Sequence, residues 1–169
     1  MFRNIDLHLK AWSLDHFRKP LLLKGARQVG KTFAARVLGK NFAHFIEINF
    51  EELPYLKKLF DQDSALSPEK IIRDLCLTLK VEIIPGETLL FFDEIQEAPH
   101  AIIALRYFYE KMPELHVITA GSLLDFAIDK IGIPVGRVDF LQLYPMSWIE
   151  FLVAQGYDEI AKNILNLFI

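Results

Sequence analysis

LLLKGARQVGKT, Leu21 to Thr32, is an apolar run that stops at a glycine and continues into a stretch ending Gly-Lys-Thr. An ordinary turn does not need Gly25, Gly30, Lys31 and Thr32 all specified. A loop that holds phosphate does. Glycine permits backbone conformations that a Cβ forbids, so the N–H groups between Gly25 and Gly30 can turn inward. The helix that starts at Lys31 adds unpaired N–H groups and about half a positive charge at its N-terminus. Together they make a cup for phosphate. Gly25, Ala26, Arg27, Gln28, Val29 and Gly30 supply backbone, and Phe33 continues the helix behind them. Lys31 can span the terminal phosphates, and Thr32 offers a hydroxyl to Mg²⁺. The Arg27 side chain is assigned no chemistry. The cup needs a strand before it and a helix after it. LLLK and KTFAARVLGK meet both requirements.

A second segment fits the first. LLFFDE, Leu89 to Glu94, carries four apolar residues into two acids. Such a strand lies inside a sheet and delivers Asp93 and Glu94 at its carboxyl end, where ligands of open α/β sheets bind. Asp93 is placed to hold Mg²⁺ opposite Thr32. Adjacent strand residues point to opposite sides, which aims Glu94 elsewhere, at the water that attacks the γ-phosphate. A carboxylate is a suitable general base for that water. The NKxD pattern expected of a guanine-specific protein is absent.

The rest of the chain alternates strands and helices. Helices are expected over 5–18, 31–40, 67–80, near 98–112, near 123–129 and after Ser147. Strands are expected over 20–25, 43–50, 88–94, 116–121 and 136–143. Ser67 and Pro68 supply an N-cap and a first helical residue, and Gly39 a stop. This alternation predicts an α/β fold with a mostly parallel sheet. LLL, LLFF and HVI are continuous apolar runs, as in strands covered on both faces. FIEINF alternates, with Ile46, Ile48 and Phe50 on one face and Glu47 and Asn49 on the other, which predicts an edge strand. GRVDFLQL is also mixed and is expected at the opposite edge.

Composition bounds the rest. The 169 residues fit one domain, and the net charge of −3 creates no overall field for nucleic acid. The single cysteine, Cys76, allows neither an internal disulfide nor a CxxC metal site, which agrees with a reducing, cytoplasmic compartment. The N-terminus lacks a signal-peptide pattern, and no apolar run is long enough for a membrane helix. The five histidines have no metal-ligand spacing. Tyr107, Phe108 and Tyr109 read as helix packing, not as a platform for bases.

Two further residues stand near the expected site. Ser122, at the end of HVITAGSLL, can bond the γ-phosphate or the attacking water, or cap the helix that follows; Thr119 is the alternative. Arg137, in GRVDFLQLYP, can stabilise transition-state charge from its own or a neighbouring subunit, or serve as an ordinary surface arginine.

GARQVGKT, LLFFDEIQEAP, ITAGSLL and GRVDFLQLYPMSWIEFL, in that order, resemble the AAA-superfamily ATPases of bacteria and archaea that carry a C-terminal nuclease-like domain of unknown function. The resemblance covers nearly the whole chain. It implies a P-loop NTPase three-layer sandwich with a five-stranded sheet ordered 5-1-4-3-2. It also implies ATP with Mg²⁺, Lys31 and Thr32 in the phosphate loop, Asp93 as the metal carboxylate and Glu94 as the water activator. Ser122 resembles the family's sensor residue, and Arg137 its GR arginine. Family members continue well beyond PMSWIEF, whereas here the sequence closes on EIAKNILNLFI. The expectation is therefore a single ATPase core over 1–169 with an N-terminal helix, without lid or effector domains. Self-association is possible; direct nucleic-acid binding by this chain is not expected, and such binding is possible only through the missing domains. ATP hydrolysis is the leading expectation. A nucleotide-dependent switch with little hydrolysis is the alternative, and a small-molecule phosphotransferase, which needs a lid with clustered arginines, is a third.

Overall fold

The computed structural model describes residues 3–61, 67–122, 134 and 136–166. Its elements in chain order are α1 (Asn4–Leu14), β1 (Leu21–Lys24), α2 (Lys31–Gly39), β2 (His44–Asn49), α3 (Pro68–Leu79), β3 (Thr88–Asp93), α4 (Pro99–Lys111), β4 (His116–Ala120), β5 (Asp139–Gln142), α5 (Trp148–Ala154) and α6 (Asp158–Asn166). Short 3₁₀ helices at Pro54–Leu59 and Ile95–Glu97 were not expected from the sequence. The helix expected near 123–129 lies outside the described residues.

All strand pairs are parallel, in the order β2-β3-β4-β1-β5. This is the expected order read from the other edge, and both mixed strands, β2 and β5, are at the edges. Parallel strands need crossovers that cover the faces, and the burial follows. Leu21, Leu23, Leu89 and Phe91 join Ile5, Leu9, Ala35 and Leu38 in a core under α1 and α2. Leu22, Leu90 and Phe92 join Leu75, Leu105 and Phe108 in a second core under α3 and α4. Strand alternation sends successive residues of β1 and β3 to opposite layers. Every residue of β3 is buried. In β2, Ile48 is buried among the second core, while Glu47, on the other face, accepts hydrogen bonds from Arg36 Nε and Nη2, each at 2.7 Å.

The boundaries differ where a side chain competes with the backbone. α1 ends at Leu14, not Arg18, because the Asp15 carboxylate accepts the Phe17 N–H at 2.8 Å and closes a turn. α2 ends at Gly39 as expected. There a Cβ would come within 2.5 Å of the Phe45 ring, so close packing selects this glycine. Ser67 precedes Pro68 at the start of α3 as expected, but its hydroxyl contacts Glu69 and not a backbone N–H.

His116, at the start of β4, joins α1 to the sheet. Its Nε2 lies 3.1 Å from the Ser13 carbonyl and its Nδ1 accepts from Arg18 at 3.3 Å, an arrangement that suits the neutral ring. Burial, and then the Arg18 charge, push its pKa below the usual 6.5, against the opposing effect of the Ser13 carbonyl. The unfolded chain therefore takes up this proton more readily. The stability from His116 is fully present above about pH 6.5 and is lost as pH falls toward the folded value, with a slope of at most about 1.4 kcal/mol per pH unit. Urea titrations between pH 7.5 and 5 will show this loss, and His116→Gln will flatten it.

Candidate nucleotide site

The cup forms where β1 ends. Gly25 has φ +149°, and a Cβ there would sit 2.3 Å from the Leu143 carbonyl oxygen. That oxygen belongs to the residue whose N–H donates to Lys24 O at 2.7 Å, so it cannot move without disturbing the β1–β5 edge. Gly25→Ala is expected to cost roughly 3 kcal/mol, as strained backbone and a steric clash combine. Urea denaturation of the variant measures it. Gly30, with φ +98°, is the residue that opens α2. The loop also uses a non-glycine left-handed residue, Gln28 at φ +62°, which the glycine spacing did not announce.

Lys31 is 7% exposed and donates to the carbonyls of Gly25 at 2.9 Å and Ala26 at 2.8 Å. Burial lowers its pKa, and the carboxylates of Glu94 and Asp93 oppose that effect. Thr32 Oγ1 donates to Asp93 Oδ2 at 2.7 Å. β3 is therefore in a register that brings its terminal acid to the hydroxyl at the start of α2. Burial raises the Asp93 pKa despite the bonds from Thr32 and from the Glu94 N–H, and the charges of Glu94 and Glu47 push the same way. A buried carboxylate destabilised in this manner favours a cation beside it.

Glu94 lies beyond the end of β3. Its φ of +49° and ψ of +45° are left-handed, and it leads into the Ile95–Glu97 turn. Strand alternation therefore does not set its direction; the turn does. Gln96 Nε2 donates to Glu94 Oε2 at 2.5 Å and holds the carboxylate at the cleft. Ser122 also reaches the cleft, and its buried hydroxyl has no hydrogen-bond partner among the described residues. Thr119 likewise keeps a buried hydroxyl within β4 that has no partner among the described residues, and it does not line the cleft.

These groups enclose one cleft of about 530 Å³, lined by Gln28, Lys31, Thr32, Phe33, Asp93, Glu94 and Ser122 among others. Arg27 borders it, as do Arg36 and Glu51, which the sequence did not single out. Arg36 follows Thr32 by four residues on α2, the spacing of one helix face, and that signal was available. Arg137 is not among these residues. It precedes β5, whose first residue pairs with Leu21 at the start of β1, so it stands at the end of the sheet opposite the cup. Its Nε donates to Glu110 Oε1 at 2.9 Å, an acceptor shared with Arg106. No action of Arg137 within its own cleft follows from this placement.

Among the described residues, no helix is long and apolar enough to cross a membrane. No cluster of three or more His, Cys, Asp or Glu residues suited to a metal occurs among them either. Asp93 with Thr32 is a smaller donor set, the kind that Mg²⁺ accepts when phosphate and water complete its shell.

The fold is shared with known structures. The Walker-type ATPase PABY2304 of Pyrococcus abyssi superposes with a TM-score of 0.55 at 20% identity, covering 94% of this chain and 58% of that one. The Drosophila ORC bound to DNA gives 0.55 at 16% identity, covering 95% of this chain and 47% of that one. The chain thus spans about half the length of these structures. No curated protein matches the sequence. A family model described as an AAA domain matches residues 17–152, from the turn before β1 to α5. The chain belongs to the AAA domain family.

Proposed function

We propose that the chain binds ATP with Mg²⁺ and hydrolyses its β–γ bond. The observation that carries this reading is the meeting, in one cleft, of a glycine-shaped cup, a buried lysine and a hydroxyl–carboxylate pair 2.7 Å apart. The backbone N–H groups of Gly25 to Thr32 bind phosphate, and Lys31 exchanges its two carbonyl acceptors for phosphate oxygens. Thr32 and Asp93 hold Mg²⁺, which supplies charge neutralisation. Glu94 accepts the proton of the attacking water, and Gln96 orients that carboxylate. Ser122 directs its unpartnered hydroxyl to the γ-phosphate or to the water. Most of the acceleration then comes from positioning and electrostatics. Phosphate release that requires Mg²⁺ is the direct test; no release with ATP or GTP at any Mg²⁺ concentration rejects the reading.

One observation favours a second reading, a nucleotide-dependent switch with little hydrolysis. Arg137 is held by Glu110 away from the cleft. Under the first reading its role belongs to a neighbouring copy, which requires self-association. Mass measurement with and without ATP, beside the phosphate assay, separates the two. ATP retained by a monomer without phosphate release supports the switch.

A further inference from the structure

Arg3 is an arginine at 6% exposure, in a stretch that precedes the phosphate loop by more than twenty residues. Its guanidinium is used from three sides. Nη1 donates to the Val29 carbonyl at 2.7 Å, inside the loop. Nη2 donates to the Tyr144 carbonyl at 3.0 Å, in the segment after β5. Nε faces Glu150 Oε1 at 3.5 Å, a pairing of charges and not a hydrogen bond. Glu150 is equally committed. Its carboxylate accepts the N–H of Asn4 and the N–H of Ser147, both at 2.8 Å, and so caps α1 and α5 together. Burial alone would raise the Glu150 pKa; the bonds from Ser147 and Asn4 and the Arg3 charge outweigh it and hold the carboxyl below its usual value.

The contact to Val29 lies one residue before Gly30, and a Cβ on Gly30 would meet Arg3 Nη1 at 3.4 Å. The Val29 carbonyl is fixed by the Arg3 guanidinium. A peptide plane pinned by its oxygen also has its N–H aimed, because the peptide unit is planar. The N–H in the plane of the Val29 carbonyl is that of Gly30, at the mouth of α2.

We propose that Arg3, locked by Glu150, is a positioning residue of the phosphate loop: it sets the Val29–Gly30 peptide in the phosphate-binding orientation and ties that orientation to the Tyr144–Glu150 segment. The inference rests on the nucleotide reading above. The planar fork matters as well as the charge, since one ammonium cannot serve two carbonyls and a carboxylate in this geometry.

The test uses the full chain and a fluorescent ATP analogue with Mg²⁺, with amide hydrogen exchange of the loop measured alongside. Arg3→Ala and Arg3→Lys are expected to weaken nucleotide binding about tenfold or more, and to speed exchange of the loop amides about as much. Glu150→Gln, which keeps an acceptor but removes the charge, is expected to do the same in lesser degree. Trp12→Phe is the control for loosened α1 packing: it removes the 2.8 Å bond to the Lys19 carbonyl without touching the fork. Its melting temperature should fall with nucleotide affinity unchanged. Should Arg3→Ala not fold, Arg3→Lys and Glu150→Gln decide. A folded Arg3→Lys with parental affinity and parental loop exchange overturns the proposal. So does an affinity loss in Trp12→Phe as large, per degree of melting temperature, as that in the Arg3 variants. If the parent binds no nucleotide, the proposed function fails, and loop exchange in the Arg3 variants alone decides whether Arg3 sets the loop.

Discussion

Lys31→Ala will lower ATP affinity by about a hundredfold while leaving the fold intact. The ammonium is buried and sits on the carbonyls of Gly25 and Ala26, directly over the loop. Hydrogen bonds to charged groups contribute up to about 3 kcal/mol each, and 2.7 kcal/mol is already about a hundredfold in affinity. The substitution also removes a charge whose burial lowers its pKa, so the variant relieves a desolvation cost and should melt close to the parent. Equilibrium binding of ATP with a thermal scan measures both. Unchanged affinity would mean that the loop binds something other than the phosphates of ATP.

Glu94→Gln is the second large effect, and it should split binding from turnover. The substitution keeps the shape of the side chain and removes the base. General-base catalysis is worth roughly a hundredfold to ten-thousandfold in rate, so phosphate release should fall by about that factor. ATP affinity should stay within about twofold, because the cup, Lys31 and Asp93 do not depend on Glu94 for their contacts to phosphate or metal. The left-handed backbone at Glu94 is kept by the 3₁₀ turn and is not specific to the acid. Single-turnover phosphate release and equilibrium binding on the same preparation check the split. An equal loss of both would reassign Glu94 to metal binding.

Which features are legible in the sequence, and which are not, follows from the range of the forces involved. The glycine loop, the β3 acids and the sheet edges are written in local patterns. Gly25 and Gly30 mark special backbone, and LLFF before Asp93 marks a strand covered on both faces. The alternation in FIEINF marks an edge. Each needs only its near neighbours in sequence, so the sequence alone could carry it. The Arg3–Glu150 pair joins residues 147 positions apart, and nothing near either end announces the other. Only the Ser147–Glu150 capping box, visible in SWIE, was a local hint. The placement of Arg137 stayed open in the sequence for a related reason. A glycine before an arginine says where the chain turns, but not which end of the sheet that turn occupies, nor that Glu110 stands ready to accept it. The direction of Glu94 was misread because strand alternation was extended one residue past the last residue that obeys it.

β1 is four residues long, and its three leucines feed both hydrophobic layers in turn. An insertion or deletion of one residue between Leu21 and Lys24 would exchange the two layers' partners and displace everything after it by about 3.3 Å along the strand. A point substitution there trims one layer; a change of length moves the glycine loop away from the carboxylate at the tip of β3. Length in this short strand is thus the less forgiving variable, and libraries that vary the chain should treat Leu21–Lys24 as open to side-chain exchange and closed to length change.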